Sequence, residues 1–172
     1  LKMIILSLGS NLPSKYGDRF DNLKFAMSFL KELGIMIDKR SSFYETLSYP
    51  NKNNPKFINM IISIKTNLSP TELISKLIHV EEKFDRKRDK KNEPRTCDID
   101  IIDYNSKILN LKFENLDLTI PHKEMRLRNF VLFPLQEILP NWKHPKTKEF
   151  IKILIQRLPK LDRNSILKIK KN

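Results

Sequence analysis

Residues 86–103 read R-K-R-D-K-K-N-E-P-R-T-C-D-I-D-I-I-D, a charged loop that runs directly into a short apolar strand. Because side chains in a strand alternate between faces, Asp98 and Asp100 point the same way, with Cα atoms about 6–7 Å apart. The alternate positions from Cys97 to Ile101 point the other way, into a predicted core. The stretch therefore predicts a strand with one buried face and a carboxylate pair on the other.

Two carboxylates on one strand face repel each other unless a cation lies between them. Oxygen ligands suit Mg²⁺, which commonly takes one or two carboxylates and completes its coordination with water and phosphate. Arg95 precedes the pair, Arg86 and Arg88 lie in the upstream loop, and guanidinium groups match phosphate oxygens. This combination predicts phosphoryl transfer to or from a nucleotide. The alternative is two solvated aspartates beside a solvated basic loop, because D-x-D is a common pattern.

The 172 residues, 40% of them hydrophobic, suffice for one domain with a sizeable core. We predict a single domain over residues 1–172, with 158–172 as a C-terminal tail in which the basic residues 168–171 fray. No apolar run is long enough to span a membrane, and residues 1–8 lack the features of a signal peptide. The lone cysteine, Cys97, excludes an intramolecular disulfide. It favours a reducing compartment, so we expect a cytoplasmic location.

The formal net charge of +13 favours a polyanionic partner, such as nucleic acid, an acidic membrane surface or nucleotide phosphates. The basic residues are spread along the whole chain, which argues against one nucleic-acid stripe. The chain is also rich in Lys, Ile and Asn and has only 3 Gly. Compositional drift is therefore an equal explanation of the charge.

Apolar periodicity predicts alternating strands and helices without an internal repeat or linker. Strands are expected at residues 3–8, 35–46, 57–65, 97–102 and 108–110. Helices are expected within residues 18–34, 69–84, 131–138 and 147–158. Asp18 can cap the first of them, with Asp21 in its first turn. Ser69-Pro70-Thr71-Glu72 is a strong helix start, with a capping serine, a proline and a glutamate three residues after the cap.

The strand at 57–65 places Phe57 and Asn59 side by side on its more polar face. An aromatic ring beside an amide suits a flat heterocycle, because one group stacks and the other hydrogen-bonds the edge. An ordinary half-buried strand start explains the same pair equally well.

Short motifs follow one another along the chain. They are L-G-S-N-L at 8–12, S-S-F-Y-x-T at 41–46, F-I-N at 57–59, R-x-R at 86–88, P-R-T-x-D-x-D-I at 94–101, L-T-x-P-H at 118–122 and R-x-F-V-L-x-P-L at 128–135. In order and approximate spacing, this series resembles the 6-hydroxymethyl-7,8-dihydropterin pyrophosphokinase family of folate synthesis. Each motif alone is weak, and the specificity comes from the series, which covers residues 3 to about 140.

The resemblance implies an α+β, ferredoxin-like sandwich, with a mainly antiparallel sheet, helices packed on it and flexible active-site loops. It implies a transferase that moves the β,γ-pyrophosphoryl unit of ATP to the hydroxymethyl group of 6-hydroxymethyl-7,8-dihydropterin and releases AMP. ATP is the co-substrate, and two Mg²⁺ ions are the cofactors. We expect a monomer that binds neither nucleic acid nor membrane. It would stand alone or beside other folate-pathway enzymes in a longer, multifunctional chain.

The resemblance also assigns residues. The catalytic set is Arg86, Arg95, Asp98 and Asp100, of which Asp98 and Asp100 hold the metal ions. The pterin-binding set is Thr46, Leu47, Tyr49, Phe57, Asn59 and Phe130. The ATP-binding set is Glu81, Arg88, Ile101, Thr119, His122 and Arg128. No residue stands out as a strong general base, and Asp100 is the candidate to accept the hydroxyl proton.

The chain departs from the family pattern at five positions. Asp85 and Glu93 stand where the family usually has glycine, and Asn92 is nearest to a loop aromatic of some members. Lys123 replaces an aromatic, and Asp117 an arginine. We expect these changes to affect lid closure and ATP affinity more than the chemistry.

Two other functions fit parts of the sequence. A basic RNA-binding module shares the ferredoxin-like topology and would fit the charge, but the strand at 57–65 has one aromatic rather than a stacking platform. A phosphoryl-transfer enzyme with another acceptor would keep Asp98 and Asp100 without requiring Phe57, Asn59 and Phe130 together. AMP release combined with pterin binding separates the three functions.

Overall fold

A computed structural model of the protein describes residues 2–48, 50–85 and 93–170. The strands are β1 (Lys2–Ser10), β2 (Met36–Arg40), β3 (Phe43–Thr46), β4 (Phe57–Thr66), β5 (Asp98–Tyr104), β6 (Leu109–Phe113), β7 (Leu116–Ile120) and β8 (Leu167–Ile169). The α-helices are α1 (Arg19–Glu32), α2 (Pro70–Glu82), α3 (Asn129–Ile138), α4 (Ile151–Arg157) and α5 (Lys160–Asn164). No helix in these ranges combines the length and apolarity that crossing a membrane requires.

The main sheet is antiparallel and has β1 and β4 in its interior. β4 pairs with one side of β1 and β5 with the other, while β2 and β3 pair with opposite ends of β4. Helix α1 connects β1 to β2, and α2 connects β4 to β5. With β2 and β3 counted as one interrupted strand, the order is β-α-β-β-α-β and ferredoxin-like, which confirms the predicted fold class. β6 and β7 form a separate hairpin.

The helix starts follow the predicted capping chemistry. Asp18 caps α1 and Ser69 caps α2, each in a capping box with the acidic residue three positions later. Such caps satisfy amide groups that have no partner within the helix, and each contributes about 1 kcal/mol. They fix where both helices begin and how they return to the sheet.

Each face of the sheet packs against a different set of helices. Ile58, Met60 and Ile62 of β4 belong to a large core with α1 and α2. On the opposite face, Ile61 belongs to a smaller core with α3 and α4. Phe57 and Asn59 share that second face, as the strand period requires. Two of the predicted pterin-binding residues therefore lie on the face that carries the smaller core.

The predicted strand over 35–46 is interrupted, which corrects the expectation of one continuous segment. The Ser41 hydroxyl accepts the Ile61 N–H at 3.0 Å, and the Ser41 N–H donates to the Ile61 carbonyl at 2.8 Å. A side-chain oxygen thus replaces a backbone partner and separates β2 from β3.

The C-terminal prediction is wrong in two places. Residues 167–169 are not frayed, because they add β8 to the edge of β3, where unpaired backbone groups were available. The last predicted helix begins at Ile151 rather than near residue 147. Lys148 has a left-handed φ of 62° and Phe150 is extended, so the helix cannot start earlier.

Candidate active site

The carboxylate pair lies at the start of β5, which forms an edge of the main sheet. Ile99 and Ile101 are buried at 2% and 8% exposure. The side chains of Asp98 and Asp100, on the other face, are 20% and 28% exposed. The predicted geometry is therefore present, with two carboxylates on one face of a strand whose alternate residues are anchored in the core.

An arginine lies beside each carboxylate. Arg95 Nη1 is 3.0 Å from Asp98 Oδ2, and Arg128 Nη1 is 3.9 Å from Asp100 Oδ2. Arg128 also pairs with Glu124 and stacks over the ring of Phe130, 5.4 Å from its centroid. The structure thus brings together two carboxylates and two cations that the sequence analysis assigned to one site.

The donor set suits Mg²⁺. Asp98 and Asp100 offer oxygen ligands and are partly exposed, so water and phosphate can reach the same side. No cluster of three or more His, Cys, Asp or Glu side chains with metal-binding geometry occurs in residues 2–48, 50–85 or 93–170. The pair fits an ion that completes its coordination with substrate and water, not a closed structural metal site.

The predicted pterin residues that the structure describes lie on or next to β3, β4 and α3. Asn59 donates from Nδ2 to the Thr46 hydroxyl at 3.3 Å, and both residues are buried. Leu47 is 43% exposed, and Phe57 is partly exposed at the start of β4. Helix α3 packs on β3 and β4, and Phe130 is in its first turn.

Gly9 separates the two groups and has no role in the sequence-based assignment. It pairs with Asn59 on one side and with Asp98 on the other, so the latter two residues are two strand spacings apart, about 10 Å. A Cβ at residue 9 would lie 2.6 Å from Asn59 Oδ1 and 3.6 Å from the Phe57 ring. The absence of a side chain at Gly9 makes room between the predicted pterin and metal residues.

A small pocket of about 60 Å³ adjoins Asp100 on the side of the β6–β7 hairpin. It is lined by Asp100, Ile101, Asp117, Leu118, Thr119, Ile120, His122 and Lys123. Four of these residues were assigned to ATP or metal from the sequence. The pocket also contains Asp117 and Lys123, two of the positions at which the chain departs from the family pattern.

His122 is neutral in this setting. Burial, followed by the nearby Arg128 guanidinium, lowers the pKa of His122 to about 4. Its Nδ1 accepts the Glu124 N–H at 3.2 Å, which leaves the ring proton on Nε2. His122 can therefore donate a hydrogen bond from Nε2 to an anionic group without carrying a charge.

Glu81 lies on α2 and contacts the backbone of β5, and it does not line the pocket. It is 2% exposed, and its Oε2 accepts the Ile99 N–H at 3.0 Å. Ile99 separates Asp98 from Asp100, so Glu81 supports the backbone that carries the pair. Its assignment to ATP stays a prediction.

Several assignments cannot be placed. Tyr49, Arg86 and Arg88 lie outside the described residues, as does the departure at Asn92. Asp85 lies inside and has a left-handed φ of 57°, which explains why glycine suits this position; aspartate tolerates the conformation better than most residues.

Comparisons with known proteins agree on one family. The family model of 7,8-dihydro-6-hydroxymethylpterin-pyrophosphokinase matches residues 5–140. A 2-amino-4-hydroxy-6-hydroxymethyldihydropteridine pyrophosphokinase of Synechocystis is 37% identical over 155 residues, which cover 90% of this chain and 75% of the relative. The Aquifex aeolicus protein of the same name is 37% identical, with 83% of each chain covered.

Other relatives are longer. The mitochondrial folate synthesis bifunctional protein of Pisum sativum is 33% identical over 79% of this chain and 25% of its own length. The crystal structure of Plasmodium falciparum HPPK-DHPS superposes with a TM-score of 0.72 at 16% identity. The match covers 99% of this chain, which spans about half (48%) of the Plasmodium chain, and it supports the fold alone.

The matched residues contain the β5 carboxylates, the strands around Gly9 and the hairpin pocket, so the sequence match and the site geometry coincide. The chain belongs to the 7,8-dihydro-6-hydroxymethylpterin-pyrophosphokinase family.

Proposed function

We propose that this chain transfers pyrophosphate from ATP to the hydroxymethyl group of 6-hydroxymethyl-7,8-dihydropterin and releases AMP. The supporting observation is the row formed by Asp98, Gly9 and Asn59 across three paired strands. It places candidate phosphate-side and pterin-side residues on one sheet face. Asn59 and Asp98 are about 10 Å apart. This distance leaves room for a heterocycle that carries an alcohol at Asn59 and for a phosphate chain at Asp98.

On the phosphate side, we assign Asp98 and Asp100 to hold two Mg²⁺ ions. When bound, the ions would offset phosphate charge and make the hydroxymethyl oxygen easier to deprotonate. Arg95 and Arg128 then turn from the carboxylates to the phosphate oxygens, for which their planar guanidinium groups are suited. We assign Asp100 to accept the hydroxyl proton.

On the pterin side, Phe57 and Phe130 provide aromatic surfaces for the ring, while the Asn59 amide forms hydrogen bonds with the edge of the ring. An amide offers donors and an acceptor, which matches the mixed hydrogen-bonding edge of a pterin. Thr46 accepts a hydrogen bond from Asn59 Nδ2 and thereby fixes the orientation of that amide.

On the nucleotide side, Ile101 and Thr119 line the hairpin pocket, and His122 donates from Nε2 to a phosphate oxygen. A neutral donor is effective here because it needs no proton from solution near neutral pH. The family resemblance supplies three further assignments: Arg86 to catalysis, Arg88 to ATP and Tyr49 to the pterin.

The test is product analysis with ATP, Mg²⁺ and 6-hydroxymethyl-7,8-dihydropterin. We expect AMP, formed only when the pterin is present. ADP would mean single phosphoryl transfer and would overturn the proposed reaction. Binding of RNA without any nucleotide turnover would favour the RNA-binding alternative.

Asp100→Ala tests the metal assignment. The variant should lose transfer almost completely, because one of two metal-binding carboxylates is gone. Asp38→Asn, which alters an exposed carboxylate paired with Lys65 on β2 and β4, is the matched control and should keep normal turnover. Near-normal turnover in Asp100→Ala would contradict the assignment.

We also propose a monomer in a reducing, cytoplasmic compartment that uses its charge for ATP rather than nucleic acid. The only cysteine, Cys97, is buried as a thiol, as expected where disulfides do not form. Light scattering would test the monomer, and a filter-binding assay would test nucleic acid.

A further inference from the structure

Asn11 is a buried residue whose side chain joins two segments that are far apart in sequence. It follows β1 directly and is 1% exposed. One segment precedes β4 and leads to Phe57, and the other precedes β5 and contains Arg95. The first belongs to the proposed pterin side and the second to the phosphate side.

The hydrogen bonds of Asn11 are specific to these two segments. Its Oδ1 accepts the Arg95 N–H at 2.7 Å, and its backbone N–H donates to the Arg95 carbonyl at 3.0 Å. Its Nδ2 donates to the Pro55 carbonyl at 3.1 Å. Asn11 therefore hydrogen-bonds both the N–H and the carbonyl of Arg95, while its side-chain nitrogen bonds the Pro55 carbonyl.

This arrangement requires an amide. The Arg95 N–H is a donor and needs an oxygen, whereas the Pro55 carbonyl is an acceptor and needs an N–H. Aspartate offers only acceptors when ionised and would place an oxygen against the Pro55 carbonyl. Alanine offers neither group. The chemistry of the two partners also fixes which end of the amide points to which segment.

We propose that Asn11 is a positioning residue that ties the two halves of the active site together. It sets the backbone of Arg95 and the entry to Phe57 relative to one another, and it touches neither substrate. This inference rests on the proposed function, because that function defines the two halves.

Asn22 provides a matched control. It is equally buried, at 0% exposure, and lies on α1. Its Nδ2 donates to the Thr96 carbonyl at 3.1 Å and to the Leu12 carbonyl at 2.9 Å. Asn22 thus supports the segment before β5, and it has no hydrogen bond to the described residues 50–56 that precede β4. Loss of Asn22 should perturb one half of the site and loss of Asn11 both halves.

The experiment compares wild type, Asn11→Asp, Asn11→Ala and Asn22→Ala. For each protein we would measure the Kd of Mg²⁺·α,β-methylene-ATP, the Kd of 6-hydroxymethylpterin at saturating analogue, and the Tm. Asn11→Asp should weaken pterin binding about three- to tenfold, the size of one lost hydrogen bond. The affinity of Asn11→Asp for the ATP analogue should stay closer to that of wild type than the affinity of Asn11→Ala does. The reason is that one carboxylate oxygen still accepts the Arg95 N–H.

Asn22→Ala should weaken binding of the ATP analogue and leave the Kd of the pterin within about twofold of the wild-type value. Equal effects of Asn11→Asp and Asn22→Ala on the two ligands would overturn the inference, since a general loss of stability would act on both alike. Unchanged pterin binding in Asn11→Asp would overturn it too. If wild type itself binds no pterin and forms no AMP, the proposed function fails instead.

A measurement on wild type covers the case in which the Asn11 variants do not fold. The Arg95 amide hydrogen is bonded to Asn11, so its exchange with deuterium reports on the bridge. Pterin alone should slow exchange at Arg95, although that residue is assigned to the phosphate side. Exchange at Arg95 that does not respond to pterin would contradict the coupling.

Discussion

Gly9 illustrates how a missing side chain can define a site. Its neighbours across the sheet are Asn59 and Asp98, and a Cβ there would lie 2.6 Å from Asn59 Oδ1. We expect Gly9→Ala to displace the Asn59 amide, because overpacking of this kind typically costs about 1–3 kcal/mol. The Kd of the pterin should rise about tenfold or more, as measured by calorimetry with the ATP analogue present.

Gly34→Ala is the control for Gly9→Ala. Gly34 has a φ of 80°, and among the described residues no atom outside its own chain neighbourhood lies within 4 Å of the position that a Cβ would take. Alanine there strains only the backbone, so it should lower the Tm without changing pterin affinity. Equal pterin affinity in Gly9→Ala and wild type would show that Asn59 is not held where the pterin binds.

His122 links the site to pH. Its pKa is lowered from 6.5 to about 4 in the folded chain, so between these values the unfolded chain binds a proton that the folded chain does not. The free energy of unfolding therefore falls as the pH falls through this window. His122→Gln keeps an N–H donor but cannot titrate, and it should lose less stability on acidification.

Urea denaturation near pH 7 and near pH 4.5 measures this difference. We expect wild type to lose about 1–2 kcal/mol more than His122→Gln, which is less than the roughly 3 kcal/mol that the whole shift from 6.5 to about 4 represents at about 1.36 kcal/mol per pKa unit. The other titrating groups are present in both proteins, and their contribution cancels in the comparison. Parallel losses in the two proteins would mean that His122 is not buried in its neutral form.

At the scale of elements, Glu137 connects α3 to the sheet. It accepts the Ser42 N–H and hydroxyl and the Tyr44 hydroxyl, and it pairs with Lys168 of β8 at 3.4 Å. Burial raises the pKa of Glu137, but the Ser42 hydrogen bonds and the Lys168 charge outweigh burial and lower it overall. One carboxylate thus joins α3, β3 and the C-terminal strand.

Glu137→Ala should therefore destabilise the protein by about 2 kcal/mol, since hydrogen bonds to charged groups contribute about 1.5–3 kcal/mol. Lys168→Ala, which removes only a half-exposed ion pair, should cost about 0.5 kcal/mol. Urea denaturation compares the two variants. A cost for Glu137→Ala as small as that for Lys168→Ala would show that the Ser42 and Tyr44 bonds do not stabilise the fold.

At the scale of the whole molecule, the net charge of +13 creates a positive field. Such a field attracts anions over a range that salt shortens to about 10 Å at 0.1 M ionic strength. We expect the Kd of Mg²⁺·ATP analogue to rise several-fold between about 50 and 500 mM NaCl. The Kd of the uncharged pterin, measured alongside, should barely change. Equal salt dependence for both ligands would leave the charge without a role in ATP capture.

The elements with a strong local signal were predictable. The capping boxes at Asp18 and Ser69 and the alternation along β4 depend on neighbouring residues only, and the structure confirms them. The break between β2 and β3 and the pairing of β8 were not predictable, because each depends on a partner far away in sequence.

The amino-acid sequence alone specifies the available chemical groups: two carboxylates with period-two spacing, arginines before them, and an aromatic next to an amide. It also determined the family, through motifs whose order survives divergence. Tertiary structure decided which groups meet. Gly9 lies between Asn59 and Asp98 only because β1 pairs with both β4 and β5, and Asn11 meets Pro55 and Arg95 only because those strands begin at the same end of the sheet. Local spacing cannot encode such contacts, since they arise from strand pairing between segments more than 40 residues apart.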